Sequence, residues 1–233
     1  MARDLASSLN EQAVRIPVGS VTLEGNLVIP GGASGIVVFA HGSGSSRHSP
    51  RNRFVARVLQ DSGIATLLID LLTAEEEAID ITTRHLRFDI PLLAERLTGA
   101  IDWLKQQPAT RDLPIGLFGA STGAAAALLA AVARPDDVVA IVSRGGRPDL
   151  ARQALERVRA PTLLIVGGRD EPVIALNEEA IAMLRAPKRL AIIPGATHLF
   201  EEPGALEQVA QLAAEWFSRY LRRAQPRQAA TAH

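Results

Sequence analysis

Cysteine is absent from the 233 residues of this chain. That absence removes a disulfide framework, thiolate zinc sites and a cysteine nucleophile together, and leaves the redox compartment open. Charge of one sign is missing as well. The 25 Lys+Arg and 25 Asp+Glu give a formal net charge of zero, so no global basic field exists to hold a polyanion, and nucleic acid is not an expected partner. Long hydrophobic runs are also lacking. The longest, Gly123 to Ala133, falls well short of the roughly 18 residues of a spanning helix. The opening Met1–Asn10 has no apolar signal core. The expected setting is therefore the cytoplasm, with no membrane partner. Lysine is scarce: only Lys105 and Lys188 stand against 23 arginines. Because alanine is abundant too, this skew reads as coding bias, and each arginine must be argued by position.

What is present is apolar and patterned. Hydrophobic residues make up 47% of the chain and charged ones 21%, which excludes disorder as the class. The length suits one α/β domain, expected over residues 13–223. Residues 1–12 and 224–233 are expected to be terminal extensions, the second polar, small and frayed. Ala13–Val18 and Val21–Pro30 flank Gly19-Ser20 as a hairpin does. Short, continuous, β-branched runs follow at Gly35–Ala40, Ile64–Asp70, Leu113–Phe118, Val138–Val142, Thr162–Val166 and Leu190–Ile193. Continuous runs of this kind predict strands covered on both faces.

Helical segments separate them. Ser49 before Pro50 predicts a capped helix start. Leu92, Leu93, Leu97, Ile101 and Leu104 keep the 3.6 period, as do Leu206, Val209, Ala213, Trp216, Phe217 and Tyr220. Alternating strands and helices predict an open, mostly parallel, doubly wound sheet with the N-terminal hairpin antiparallel at one edge. In such sheets ligands sit beyond the carboxyl ends of the strands, so the residues that follow each run are the ones to read.

Gly119-Ala120-Ser121-Thr122-Gly123 follows one run and precedes the apolar stretch Ala124–Ala133. A G-x-S-x-G between strand and helix is a turn so sharp that its serine is pushed onto a strained apex. Asp170 follows Thr162–Val166, and His198 follows Leu190–Ile193. The order Ser, Asp, His at three strand ends is that of an α/β-hydrolase triad. Of the five histidines, His41, His48, His85, His198 and His233, only His198 lies downstream of Asp170 and at a strand end. Ser121 is thus the candidate nucleophile, His198 the base and Asp170 its orienting acid. After Gly35–Ala40 comes His41-Gly42-Ser43-Gly44-Ser45-Ser46. Backbone N–H groups in such a turn suit a developing oxyanion, and the expected donors are those of Ser43 and Thr122. His41 is expected to shape the turn.

Over Ile16 to Tyr220 the chain resembles the α/β-hydrolase superfamily. Within it, the closest look is to small dienelactone-hydrolase-like proteins, a group sometimes fused to phosphoribosyltransferase-like domains. The likeness is carried by His41–Arg47, Phe118–Gly123, Gly167-Gly168-Arg169-Asp170 and Gly195–Phe200. One departure matters: dienelactone hydrolases proper use a cysteine nucleophile, and this chain has serine in that place. Their cyclic substrate is therefore not implied.

The expectation is a serine hydrolase that cleaves short-chain or compact carboxylic esters through an acyl-enzyme, without metal or cofactor. Thioesterase, C–C hydrolase and acyltransferase reactions use the same triad, and a non-catalytic binding module is the alternative of another class. Little chain is available for a cap: Ser143–Pro161 holds room for one short helix, Leu150–Val158. Leu71–Asp89, with Glu75-Glu76-Glu77, has room to fold partly over the site. Arg47, Arg51, Arg144 and Arg147 fall near the expected rim. Arg47 and Arg144 are candidates to bind a carboxylate or phosphate on a small ester substrate; ion pairing with Glu201, Glu202 or Glu75–Glu77 is the competing explanation.

Overall fold

The computed structural model describes residues 10–221. Residues 1–9 and 222–233, which include most of the two expected extensions, lie outside the described residues. Eight strands form one sheet: β1 (Gln12–Val18), β2 (Val21–Val28), β3 (Ile36–Ala40), β4 (Ala65–Ile69), β5 (Ile115–Ala120), β6 (Val138–Arg144), β7 (Thr162–Gly167) and β8 (Lys188–Ile193). Their order is β1-β2-β4-β3-β5-β6-β7-β8. β1 pairs antiparallel with β2, and β2 with β4. From β4 to β8 all pairings are parallel. This is the mostly parallel sheet with an antiparallel edge that the patterning predicts.

The interior strands run apolar because both faces are covered. In β3, Ile36, Val38 and Ala40 join one core and Val37 and Phe39 the other. The first core is closed by α3 (Ile90–Gln106), α4 (Thr122–Ala133) and α5 (Glu171–Met183). The second is closed by α1 (Pro50–Asp61) and α6 (Ala205–Tyr220). β8, at the edge, alternates exposed and buried residues near its end.

The helix ends follow local chemistry. Ser49 Oγ accepts from the Asn52 N–H, and Pro50 fills the first position, where no N–H is needed. The glutamate run turns out to open a helix, α2 (Ala74–Thr83). Thr73 Oγ1 accepts from Glu76 N–H at 3.2 Å while Glu76 Oε2 accepts from Thr73 N–H at 2.8 Å. This reciprocal cap places three carboxylates at the positive end of the helix. α2 leads into a single 3-10 turn, Leu86–Phe88. The short helix expected between β6 and β7 is also 3-10, over Pro148–Arg157. β5 reaches two residues further than the apolar run, since Gly119 and Ala120 still pair with Ser143 and Arg144. The strand therefore delivers Ser121 directly into its turn.

Candidate active site

Because β3, β5, β6, β7 and β8 are parallel, the segments after them share one edge of the sheet. Ser121 sits there between β5 and α4 with φ 50° and ψ −120°, a left-handed region that non-glycine residues rarely enter. Its backbone is held on both sides. The Ser121 N–H donates to Arg144 O at 3.2 Å, and the Ser121 C=O accepts from Ala124 and Arg147 N–H, each at 3.1 Å. A side chain at Gly119 would meet Ala124 Cα at 2.4 Å, and one at Gly123 would meet Ala40 O at 2.3 Å. Only glycine fits at those two positions, so the turn can be this tight.

His198 lies in the turn after β8, and its Nδ1 donates to Asp170 Oδ2 at 2.6 Å. Asp170, just before α5, is mostly buried, and His198 is partly exposed. The pairing leaves Nε2 as the free nitrogen of a neutral ring. Glu202 steadies this turn by accepting from the Thr197 N–H at 3.1 Å. Gly145, at φ 51°, backs the imidazole: a methyl group there would stand 3.4 Å from His198 Cε1 and 3.2 Å from its carbonyl oxygen. The turn that receives the Ser121 N–H thus also supports the His198 ring. Among the described residues no hydrogen bond joins Ser121 Oγ to His198; such contacts commonly tighten only when substrate is present.

Ser43 and Thr122 stand beside the elbow. Their hydroxyls are 3.0 Å apart, and Ser43 Oγ also donates to Arg87 O at 3.3 Å. Among the described residues neither backbone N–H is taken up by another protein group. His41 shapes this turn: Nδ1 donates to Gly42 O at 2.9 Å and Nε2 accepts from the Leu71 N–H at 3.1 Å. Burial lowers the His41 pKa from its ordinary value, partly countered by the Gly42 carbonyl and by Asp70 and Glu77. α2 and the turn after it pack over Ser43 and Thr122 and leave a cavity of only about 20 Å³, lined by Ser43, Leu72, Asp80, Arg87, Leu93 and Thr122 among others.

The four arginines separate. Arg47 is spent inside the fold: it bonds through its main-chain N–H and side chain to Asp70, through Nη2 to Glu24 Oε2 at 2.6 Å and through Nε to Asn26 Oδ1 at 3.0 Å. The competing ion-pair explanation therefore describes Arg47, with partners from β2 and from the residue after β4. Arg147 grips Asp149 in a fork, both bonds 2.8 Å. Arg51 reaches Glu201 at 3.3 Å. Arg144 is buried and, among the described residues, meets no carboxylate. Glu202, Gly145 and Arg87 are not readable as site residues from sequence, because no motif marks a carboxylate on the Thr197 N–H, room for the His198 ring at Gly145 or the Arg87 carbonyl under Ser43 Oγ.

The family model of the dienelactone hydrolase family matches residues 23–223. The chain belongs to the dienelactone hydrolase family. A dienelactone hydrolase from Anabaena variabilis ATCC 29413 is similar in structure, with a TM-score of 0.91 and 69% identity, covering 92% of this chain and 99% of that one. An esterase of Pyrococcus furiosus shares the fold at a TM-score of 0.73 and 19% identity, covering 92% of each chain. A putative phosphoribosyl transferase of Mycobacterium tuberculosis is 57% identical over 213 residues, 91% of this chain and 47% of that protein. The chain thus spans about half the length of the curated relative it matches. No helix among the described residues is long and apolar enough to cross a membrane.

Proposed function

We propose that this member of the family is a serine hydrolase that cleaves carboxylic esters of short or compact acyl groups through an acyl-enzyme. The observation that carries the reading is the strained Ser121 apex and, at the same edge of the sheet, a histidine whose Nδ1 is held by Asp170 at 2.6 Å. With Nδ1–H donated to the carboxylate, Nε2 carries the lone pair that takes the Ser121 hydroxyl proton during attack. The carbonyl oxygen gains charge and accepts from the Ser43 and Thr122 N–H groups. Protonated His198 gives its proton to the leaving alcohol, and Asp170 stabilises the transient imidazolium. Water, deprotonated by His198, then releases the acid and restores Ser121. The space under α2 beside Ser43 and Thr122, about 20 Å³, has no room for a long acyl chain on that side, which supports compact substrates.

The test is labelling with a fluorophosphonate, which reacts only with an activated serine. Wild type is expected to label, and Ser121→Ala to remain unlabelled. Folded wild type that does not label would overturn the reading.

A further inference from the structure

Two arginines are buried among the described residues, Arg96 and Arg144. Arg96 has a carboxylate, Glu76 Oε1 at 2.7 Å. Arg144, 8% exposed, has none: its Nε and Nη1 are buried without a hydrogen-bond partner among the described residues. A buried charge left uncompensated costs several kcal/mol, so this one is an unusual thing for the fold to keep. Its charged neighbour has the same sign. Burial and the Arg51 charge push Arg144 down to about 10, and the Nε of Arg51 is likewise buried and unpaired.

The position of this pair is specific. Arg144 ends β6, and its carbonyl holds the Ser121 N–H. Gly145, the next residue, backs the His198 ring. Arg51 is the second residue of α1, whose first turn carries no acidic residue, and it reaches Glu201, in the His198 turn. Two guanidinium groups and the positive end of a twelve-residue helix therefore lie at the edge of the sheet that carries Ser121. Glu201 offsets one of the two guanidinium charges, and the remainder together with the partial charge of the helix end, about +1.5, lies nearer the charge of a phosphate monoester, about −1.5 to −2, than that of a carboxylate.

From this arrangement we infer that Arg144, with Arg51, binds a phosphate monoester carried by the ester substrate. The inference rests on Ser121 acting as the nucleophile. The phosphate takes no part in bond making. Its oxygens accept from the arginine N–H groups and hold the ester carbonyl over Ser121.

The test compares three aryl esters of one acyl group, bearing a phosphate, a carboxylate or no charge, in wild type and Arg144→Gln. Wild type is expected to prefer the phosphate ester in kcat/KM over both others. The phosphate-to-neutral ratio is expected to fall about 10- to 100-fold in Arg144→Gln, the worth of one or two charge-assisted hydrogen bonds. An unchanged ratio, or a carboxylate ester preferred over the phosphate ester, would overturn the inference. Inorganic phosphate should raise the Tm of Ser121→Ala more than chloride at equal ionic strength, and this gain should vanish when Arg144→Gln is added. Without phosphate, Arg144→Gln itself should raise Tm, since it removes an unpaired buried charge; a lowered Tm with no phosphate response would mark Arg144 as structural. The two readings fail separately. Absence of labelling and of all ester hydrolysis defeats the hydrolase, and the phosphate-induced Tm shift still decides the anion site. Hydrolysis of neutral esters without any phosphate response defeats the anion site alone.

Discussion

The hydroxyls of Ser43 and Thr122, 79 residues apart in sequence, lie 3.0 Å from each other. Ser43 follows β3 and Thr122 opens α4 after β5, and those strands are neighbours in register at Ala40 and Gly119. A hydroxyl has one proton. Ser43 gives its proton to Arg87 O, so Thr122 is the donor between the two. This bond fixes the spacing of the two N–H groups assigned to the oxyanion. Thr122→Val keeps the shape and removes the bond. We expect kcat to fall about 10-fold, as small displacements of oxyanion donors do, with KM within about threefold and recovery in Thr122→Ser. Steady-state kinetics on a neutral ester decides it: an effect confined to KM would contradict the assignment.

Burial disfavours the charged form of His41, and the consequence for stability has a definite sign. Burial depresses its folded pKa below the ordinary value of 6.5, against the opposing pull of the Gly42 carbonyl, Asp70 and Glu77. Below pH 6.5 the unfolded chain then binds more protons than the folded one, so stability falls as pH drops from 6.5 toward the depressed folded value. His41→Leu should flatten that part of the profile. It should also cost about 1–3 kcal/mol at pH 7.5, because the buried Leu71 N–H loses its acceptor. Urea unfolding of both proteins from pH 5 to 7.5 measures both effects; parallel profiles would rule out His41 as the group responsible.

Much of this site can be read from sequence, because its parts are local. Strand runs end where Ser43, Ser121, Asp170 and His198 begin their turns, and a parallel sheet brings such turns to one edge. Ser49-Pro50 likewise announces α1 without reference to anything distant. The arginines cannot be read this way. Arg47 and Arg144 look alike in sequence, each in a Gly- or Ser-rich loop after a strand. What separates them is whether carboxylates arrive from elsewhere: Glu24 and Asp70 reach Arg47 across the β2–β4 pairing, and among the described residues no carboxylate reaches Arg144. α5 also lacks a clear stripe, since Val173, Asn177 and Ala180 are its buried residues and Asn177 is polar. Asn177 is buried because its Nδ2 donates to Gly146 O at 3.0 Å and Val173 O at 2.8 Å. No period in the sequence reports such a bond.

Asp170→Asn tests the orienting role directly. The carboxylate accepts from His198 Nδ1 at 2.6 Å. An amide can match its shape but carries no charge, and it can turn its NH2 toward the ring and favour the other tautomer. Loss of the orienting acid in such triads costs about 10⁴-fold in kcat, and a fall of about 10³- to 10⁴-fold is expected here. Fluorophosphonate labelling should slow in parallel while Tm changes little. A fall below about 10-fold would mean that His198 takes its orientation from elsewhere.

Gly145 and Gly63 together separate backbone strain from damage to the site. Both hold positive φ, 51° and 74°, where a side chain costs about 1–2 kcal/mol. A methyl at Gly63 meets nothing within 4 Å, whereas one at Gly145 stands 3.2 Å from the His198 carbonyl oxygen and 3.4 Å from Cε1. Gly63→Ala and Gly145→Ala should therefore lose similar stability, about 1 kcal/mol or somewhat more, by urea unfolding. Only Gly145→Ala should lose activity, because relieving its contact moves His198 or the turn that receives the Ser121 N–H. A kcat lowered at least about 10-fold is expected, since sub-ångström misplacement of reacting groups is costly. Equal kcat in the two variants would show that the His198 turn tolerates the methyl and that Gly145 serves the backbone conformation alone.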